Sequence, residues 1–230
     1  MALSRTMLQL VGLCQRRADK ESDDHVDTDE WKELISEVYG ELHAVVTEVG
    51  ARYFETEASI TATGAATYAL PSDHLSTIGV DRVVDAAGRR RPVHQLMVQE
   101  ASLFGGQTGQ ACLFALAGAY ISLYPTPSSG TYKHLYVPQP TDYSSASNGT
   151  SVDVINIYGL KFIAWGVASI AMHKGSDNQQ RAVAERDAAK EELKAWAIAR
   201  AITMPKRRVV TDYDLQYGDF NPASWRITPP

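Results

Sequence analysis

Two clusters of basic side chains are the strongest candidates for binding chemistry in this sequence. One comprises Arg89, Arg90 and Arg91, and the other comprises Lys206, Arg207 and Arg208. Such side chains neutralise phosphates, so either cluster could contact a nucleic-acid backbone with an affinity that falls as salt rises. A solvated hairpin turn and the basic end of a helix explain the same residues without a ligand, and the second cluster also suits an acidic partner surface. The sequence leaves these interpretations open.

Residues with catalytic or metal-binding potential show no arrangement that favours an enzyme. The six histidines are scattered, and none has the spacing to another ligand that is typical of a metal site. The glycine-rich residues 105–109 lack the Lys-Ser or Lys-Thr pair of a phosphate-binding loop. Glu55 and Glu57 share one face of a predicted strand, where they either form an acid pair or mark its solvent-exposed side. We therefore expect no catalytic activity and no cofactor.

The composition is that of a globular protein without a bulk attraction for polyanions. The 230 residues include 22 basic and 27 acidic side chains, a formal net charge of -5, so any contact with DNA must be local. Cys14 and Cys112 form no C-x-x-C pair, which predicts two reduced, buried side chains. The apolar run at residues 7–13 is interrupted by Gln9 and has no cleavage site after it. We expect a cytoplasmic protein without a membrane-spanning segment.

Two N-terminal segments have the spacing of amphipathic helices. Residues 4–17 place apolar side chains at three- and four-residue intervals and end on a basic pair. Asp27 as N-cap and Glu30 form a capping-box pattern, and Val26 is placed to pack on Trp31. The apolar stripe of the second helix comprises Trp31, Leu34, Ile35, Val38, Leu42, Val45 and Val49, and the helix is predicted to end at Gly50. We expect it to pack on a C-terminal helical hairpin.

That helical hairpin is predicted at residues 156–201. Its first arm, residues 156–173, has apolar side chains over a broad face and is predicted to be the most buried helix. Gly175 is placed to end this arm, and Ser176 with Gln179 fits a capping box for the next. The second arm has only a narrow apolar stripe, which predicts a surface position. The charged side chains expected opposite that stripe are Arg186, Lys190, Glu191 and Lys194.

Between these helical segments the apolar period changes to two, which is typical of strands. Residues 53–62 alternate and are predicted to pair with residues 67–70 across a tight turn. Residues 76–84 and 91–94 are predicted to form a second hairpin, with the first arginine cluster at or beside its tip. The remaining predictions are a short helix at residues 95–104, strands at residues 112–116, 120–124 and 131–137, and a polar link at residues 142–151.

The last residues contain large apolar side chains without any period. Asp, Gly, Asn and Pro separate them, yet the composition is not that of a purely solvated tail. We therefore predict an extended segment that binds a partner through aromatic anchors. The residues assigned to this contact are Arg207, Arg208, Val209, Tyr213, Tyr217, Phe220 and Trp225.

Together these patterns predict an α+β fold in which a helical bundle carries an inserted β-rich section. The N-terminal helices of the bundle occupy residues 1–50, and the C-terminal helical hairpin occupies residues 151–203. The β-rich insertion covers residues 51–150, and the extended partner-binding tail covers residues 204–230.

The order of these segments resembles that of the head-to-tail connector proteins of tailed phages, also called adaptor or head-completion proteins. The resemblance spans most of residues 5–200. The matching motifs are residues 15–19 (QRRAD), 29–31 (DEW), 38–42 (VYGEL), 66–75 (ATYALPSDHL), 121–127 (ISLYPTP) and 138–140 (PQP). The large β-rich section departs from the family pattern and is a candidate contact for the tail or for a neighbouring subunit.

The resemblance implies a structural virion protein that forms a ring, usually of twelve copies, beneath the portal of the DNA-filled head. It implies that the extended tail docks on the portal protein, that a tail or neck protein binds the opposite face, and that viral DNA passes through the channel without sequence-specific binding. The expected location is the virion neck, after assembly in the host cytoplasm. The alternatives are a tail terminator or stopper protein of the neck, and a DNA-binding protein that uses both basic clusters.

Overall fold

The computed structural model describes residues 3–19, 27–49, 52–97, 104, 106–172 and 177–203. Within these residues there are four helices: α1 (Met7–Arg17), α2 (Thr28–Glu48), α3 (Ile157–Ala171) and α4 (Asp177–Thr203). The strands in the same part of the chain are β1 (Ser4–Thr6), β2 (Thr56–Thr61), β3 (Thr67–Ala69), β4 (His74–Val83), β5 (Arg90–Gln95), β6 (Leu113–Ala117), β7 (Tyr120–Tyr124), β8 (Thr131–Pro138) and β9 (Ser151–Asp153).

Helix α3 lies at the centre of the helical part and contacts each of the other three helices. Phe162, Ile163 and Val167 are fully buried, because α3 is apolar around most of its circumference. Its contact with α2 is close, since a Cβ added to Gly166 would lie 2.7 Å from Cγ1 of Val38. The prediction that the first arm of the hairpin is the most buried helix is confirmed.

Helix α1 begins three residues later than predicted. Ser4–Thr6 is extended and pairs antiparallel with Ser151–Asp153, so the chain enters α1 from a two-stranded sheet. Thr6 then acts as N-cap and forms a capping box with Gln9. The spacing of apolar residues does not show this, because the pairing joins segments that are far apart in the sequence.

Helix α2 begins as predicted. Asp27 is the N-cap, and its capping box with Glu30 is present in both directions. Trp31, Ile35 and Leu42 are fully buried on the face that meets α3. The predicted stripe is therefore correct, and its outer members Leu34 and Val49 are partly buried against the same core.

Replacing the N-cap Asp27 by Ala is expected to lower the free energy of unfolding by about 1 kcal/mol, because backbone donors at the start of α2 lose their acceptor. Urea denaturation followed by circular dichroism would measure the change. The neighbouring Thr28→Ala is the matched control and should stay within about 0.5 kcal/mol of wild type. Equal effects of the two changes would show that the cap contributes nothing specific.

Helix α4 packs on the helical core through the narrow stripe that the sequence predicts. Ala182, Ala189, Leu193 and Ala197 are buried, while Trp196 is partly buried. The expectation that Arg186 lies opposite this stripe is wrong. Arg186 lies on the same side of α4 as Ala189 and Leu193. Its long side chain therefore reaches the neighbouring helix α2, where it pairs with Glu41.

The β-rich insertion forms a seven-stranded sheet in the order β2-β8-β4-β5-β6-β7-β3. Its edge strands approach each other, since the N–H of Thr63, just after β2, donates to the hydroxyl of Tyr68 in β3 at 3.2 Å. The sheet thus nearly closes on itself. It encloses a second hydrophobic core that includes Ile60, Val80, Phe114, Ile121, Leu123 and Tyr132.

The sequence predicts that β3 pairs with β2, and this prediction is wrong. Tyr68 lies opposite Ile121 of β7, whereas Ile60 lies opposite Tyr132 of β8. Alternation identifies the strands and their buried faces, and Ile60 is indeed buried between exposed neighbours, but it does not identify partners. The hairpin of β4 and β5 is confirmed, with Val83 opposite Arg90.

Several predictions lie outside the described residues: the packing of Val26, the helix end at Gly50, the capping of the hairpin turn by Gly175 and Ser176, and the whole tail at residues 204–230. The short helix predicted at residues 95–104 is wrong at its start, because Gln95 belongs to β5. Leu96 and Met97 are not helical either.

The fold class is α+β, as predicted, but the description as a helical bundle is only partly correct. Strands β1 and β9 are built into the helical part, and the insertion is a large, nearly closed sheet with its own core. Among the described helices, none combines the length and apolar character that crossing a membrane requires. The domain boundaries stay predictions.

Candidate partner-binding surfaces

The first basic cluster lies at the turn between β4 and β5. Gly88 adopts a φ of 77°, a conformation that glycine tolerates better than other residues. The N–H of Val84 donates to the carbonyl of Arg89 at 2.8 Å and closes the hairpin. The sequence therefore predicts the position of this cluster correctly.

Two arginines of this cluster have carboxylate partners. Asp85 accepts hydrogen bonds from the side chain of Arg89 and from its N–H, and these bonds lower the pKa of Asp85. Glu57 of β2 pairs with Lys133 at 3.0 Å and also with Arg90, and both hydrogen bonds lower the pKa of Glu57. The side chain of Arg89 is nevertheless 80% exposed. A phosphate contact would have to compete with these carboxylates, and such a contact stays a prediction.

Glu55 and Glu57 do not form an acid pair. Arg52 lies 3.7 Å from Glu55, whereas Glu57 is held by the cations on β5 and β8. Each carboxylate therefore has its own basic partner. This arrangement agrees with the simpler interpretation, in which the alternation marks the solvent-exposed side of the strand.

The predicted partner-binding tail lies outside the described residues. This applies to each of the assigned residues, Arg207, Arg208, Val209, Tyr213, Tyr217, Phe220 and Trp225, and to Lys206. Their role stays a prediction from composition and family resemblance.

A cluster that sequence inspection misses joins β4 to β8. Thr77 Oγ1 lies 2.9 Å from Nε2 of His74 and 2.9 Å from Nε2 of His134. The His134 ring stacks on that of His74, with centroids 5.4 Å apart, and on that of Tyr136, with centroids 5.1 Å apart. The Tyr136 hydroxyl donates to Asp73 at 3.0 Å. The only sequence signal is the alternation of Tyr132, His134 and Tyr136 along one face of β8.

This cluster keeps His134 neutral. The side chain is 1% exposed, and its Nδ1 has no hydrogen-bond partner among the described residues. Burial, followed by the neighbouring His74, lowers the pKa of His134 to about 4. Within the described residues, no group of three or more His, Cys, Asp or Glu side chains is placed to hold a metal ion. We interpret the cluster as a structural contact that stabilises the pairing of β4 with β8.

The prediction that both cysteines are buried is correct for Cys14 and only partly correct for Cys112. Cys14 is fully buried in the helical core, and burial raises the pKa of its thiol to about 12. Cys112 is half-buried, and burial also raises the pKa of its thiol. Both thiols are free.

The match to a known protein family covers both the helical part and the inserted sheet. The family model of the SU10 adaptor protein matches residues 5–210, a range that includes α1 to α4 and the complete sheet. The chain therefore belongs to this family, and the resemblance noted in the sequence is confirmed. No curated protein matches the chain.

Proposed function

We propose that this protein is a head-to-tail adaptor that forms a dodecameric ring, docks on the portal vertex and joins the DNA-filled head to the tail. The family match over residues 5–210 carries the proposal. The portal protein binds one face of the ring, and a tail or neck protein binds the other. Viral DNA passes through the channel without sequence-specific binding, and the net charge of -5 supports such passage. The protein acts in the virion neck after assembly in the host cytoplasm, without catalysis or a cofactor.

The portal contact is assigned to the tail at residues 204–230. Its aromatic side chains are suited to fill pockets, which is where most interface energy is concentrated, and an extended chain can lie in a groove or add a strand. Arg207 and Arg208 supply positive charge next to these anchors, which suits an acidic rim on the portal.

Native mass spectrometry of the chain, alone and mixed with the portal from the same phage, tests this proposal. We expect a portal complex that carries a full ring of copies. Deletion of residues 206–230 should leave a folded protein, checked by circular dichroism, that no longer forms the complex. Unchanged portal binding by the deleted chain would contradict the assignment of the tail.

A pair of full-length variants sharpens the assignment. Tyr217→Ala with Trp225→Ala is expected to weaken portal binding by about 1,000-fold, because each buried aromatic anchor contributes about 2 kcal/mol. The matched control changes Asp214 and Asp219 to Ala and should bind normally.

A chain that binds isolated tails but not the portal would instead be a terminator or stopper protein. Duplex binding that falls steeply with salt, and that requires Arg89, would support the DNA-binding alternative.

A further inference from the structure

The exposed face of α2 carries a row of glutamates, which we call the acidic ridge. Its members are Glu30, Glu33, Glu37, Glu41 and Glu48. Their spacing of three or four residues, with Ala44 in the remaining position, places them on one side of the helix. Ile35 and Val46 lie on the opposite side and are fully buried. The ridge therefore points away from the core of the same chain.

Most of the ridge lacks a compensating charge within the described residues. Glu41 pairs with Arg186, and the Glu30 carboxylate accepts from the N–H of Asp27 at 3.0 Å. Glu33, Glu37 and Glu48 have no ion-pair partner in the described part of the chain, and α2 has no basic residue in its last turn. Like charges three and four residues apart destabilise a helix. A basic partner surface would remove this repulsion.

A groove between α1, α3 and α4, which we call the basic groove, offers such a surface. It has a volume of about 270 Å³. The charged and aromatic side chains that line it are Arg17, Lys161, Trp165, Arg181, Glu185 and Glu192. Three cations thus face two carboxylates, and Lys161 binds one of these, Glu192, at 3.2 Å. The Arg17 guanidinium lies 4.8 Å from the centre of the Trp165 ring.

Within the described residues, the two guanidinium groups of the groove have no carboxylate partner. Neither Arg17 nor Arg181 has an ion-pair partner among the described residues, and Arg17 is held by its contact with Trp165. The small side chains of Ala188 and Ala189 leave the α4 wall open. Guanidinium groups fixed in a partly enclosed groove suit carboxylates, which they bind with two parallel hydrogen bonds.

The ridge and the groove lie on different sides of the molecule. Helix α2 packs on α3 at Gly159 and Gly166, whereas Lys161 and Trp165 are the residues of α3 that line the groove. The periodicity of a helix turns these two pairs toward different directions. One chain therefore presents an acidic surface on one side and a basic surface on another. A heterologous contact between identical subunits, which joins two different surfaces, can use such a pair.

We propose that the acidic ridge of one copy packs into the basic groove of the next copy and forms the repeating contact of the ring. Glu33 and Glu37 of α2 meet Arg17 and Arg181 of the neighbouring subunit. This inference rests on the proposed function, since it assigns the contact between copies within the proposed ring. Because the two surfaces differ, each copy uses both, and the contact repeats until the ring closes.

Charge reversal tests the contact directly. The ridge variant carries Glu33→Lys and Glu37→Lys, and the groove variant carries Arg17→Glu and Arg181→Glu. Each alone should lose the ring in native mass spectrometry, with or without the portal, because every contact would join like charges. An equimolar mixture should regain it, since ridge and groove variants alternate around the ring with opposite charges at every contact. The recovered oligomer should contain equal numbers of the two variants.

A control that matches the ridge variant in net charge separates the effect of the contact from the effect of net charge. Asp187→Lys with Glu191→Lys reverses two charges on the outer face of α4 and should assemble normally. Normal assembly of either the ridge or the groove variant would overturn the inference and leave the proposed function intact. The inference also fails if the mixture stays monomeric while circular dichroism shows both variants folded, or if the groove variant loses only the portal. A wild-type chain that is monomeric alone and on the portal would overturn both proposals.

Discussion

The change Gly159→Ala is expected to lower the free energy of unfolding by about 3 kcal/mol, because overpacking against the backbone cannot relax cheaply. A Cβ at this position would lie 2.4 Å from the carbonyl oxygen of Val154 and 3.2 Å from Cδ1 of Leu42. The Val154 carbonyl also accepts from the N–H of Asn156 at 2.7 Å, and the N–H of Val154 donates to Leu3 at 3.0 Å. Moving it would disturb the cap of α3 and the strand that precedes it.

The chain contains a matched control for this change. Gly40 lies within α2, and a Cβ added there would meet nothing within 4 Å. Gly40→Ala should therefore raise the free energy of unfolding by about 0.5–1 kcal/mol through the better helix propensity of alanine. Urea denaturation of both variants would give the comparison. If the two substitutions shifted stability in the same direction and by a similar amount, the close packing at Gly159 would be wrong.

The stability of the wild-type protein is expected to fall at acidic pH because His134 is buried in its neutral form. Its folded pKa of about 4 lies below the value of 6.5 for an ordinary histidine. The unfolded chain therefore binds the proton more readily, and this contribution to stability, complete above pH 6.5, is lost as the pH falls toward 4. From about pH 7.5 to about pH 5, the loss amounts to about 2 kcal/mol.

The variant His134→Gln isolates this titration. A glutamine can still bond to Thr77 but does not titrate, so its stability should decline about 2 kcal/mol less than that of wild type between about pH 7.5 and about pH 5. Denaturant titrations at a series of pH values would measure the difference. Above pH 7 this difference in stability between the variant and the wild type should be constant, because His134 is then neutral in both the folded and the unfolded chain. This constancy serves as the internal control. A difference that is equally constant down to pH 5 would show that His134 is accessible to protons in the folded protein.

Local signals predict the helices well because their causes are local. The capping box of Asp27 and Glu30 requires only four consecutive residues, and the broad apolar face of α3 appears within five turns of helix. The pairing of Tyr68 with Ile121 instead joins residues more than fifty positions apart. Alternation carries no information on such partners, so the closure of the sheet and the pairing of β1 with β9 could not be predicted.

The candidate surfaces follow the same division. The first basic cluster, at the turn between β4 and β5, can be located in the sequence because a glycine and two flanking strand patterns mark the turn. The carboxylate that holds Arg90 belongs to Glu57 on β2, which β8 and β4 separate from β5 in the sheet. Likewise, the basic groove brings Arg17 next to Trp165, although these residues are far apart in the sequence. Only the assembled helices show that these side chains share a surface.

The chain enters the inserted sheet on β2 and leaves it on β8, and these two strands are neighbours. Thr56, at the start of β2, lies opposite Tyr136, near the end of β8. Just outside the sheet, the hydroxyl of Tyr53 donates to Asp153 at 2.8 Å. Chain ends that meet in this way allow a segment to be lengthened, shortened or replaced without moving its attachment points. The inserted sheet is thus attached to the helical part at two adjacent points, so its length can change without displacing the helical core.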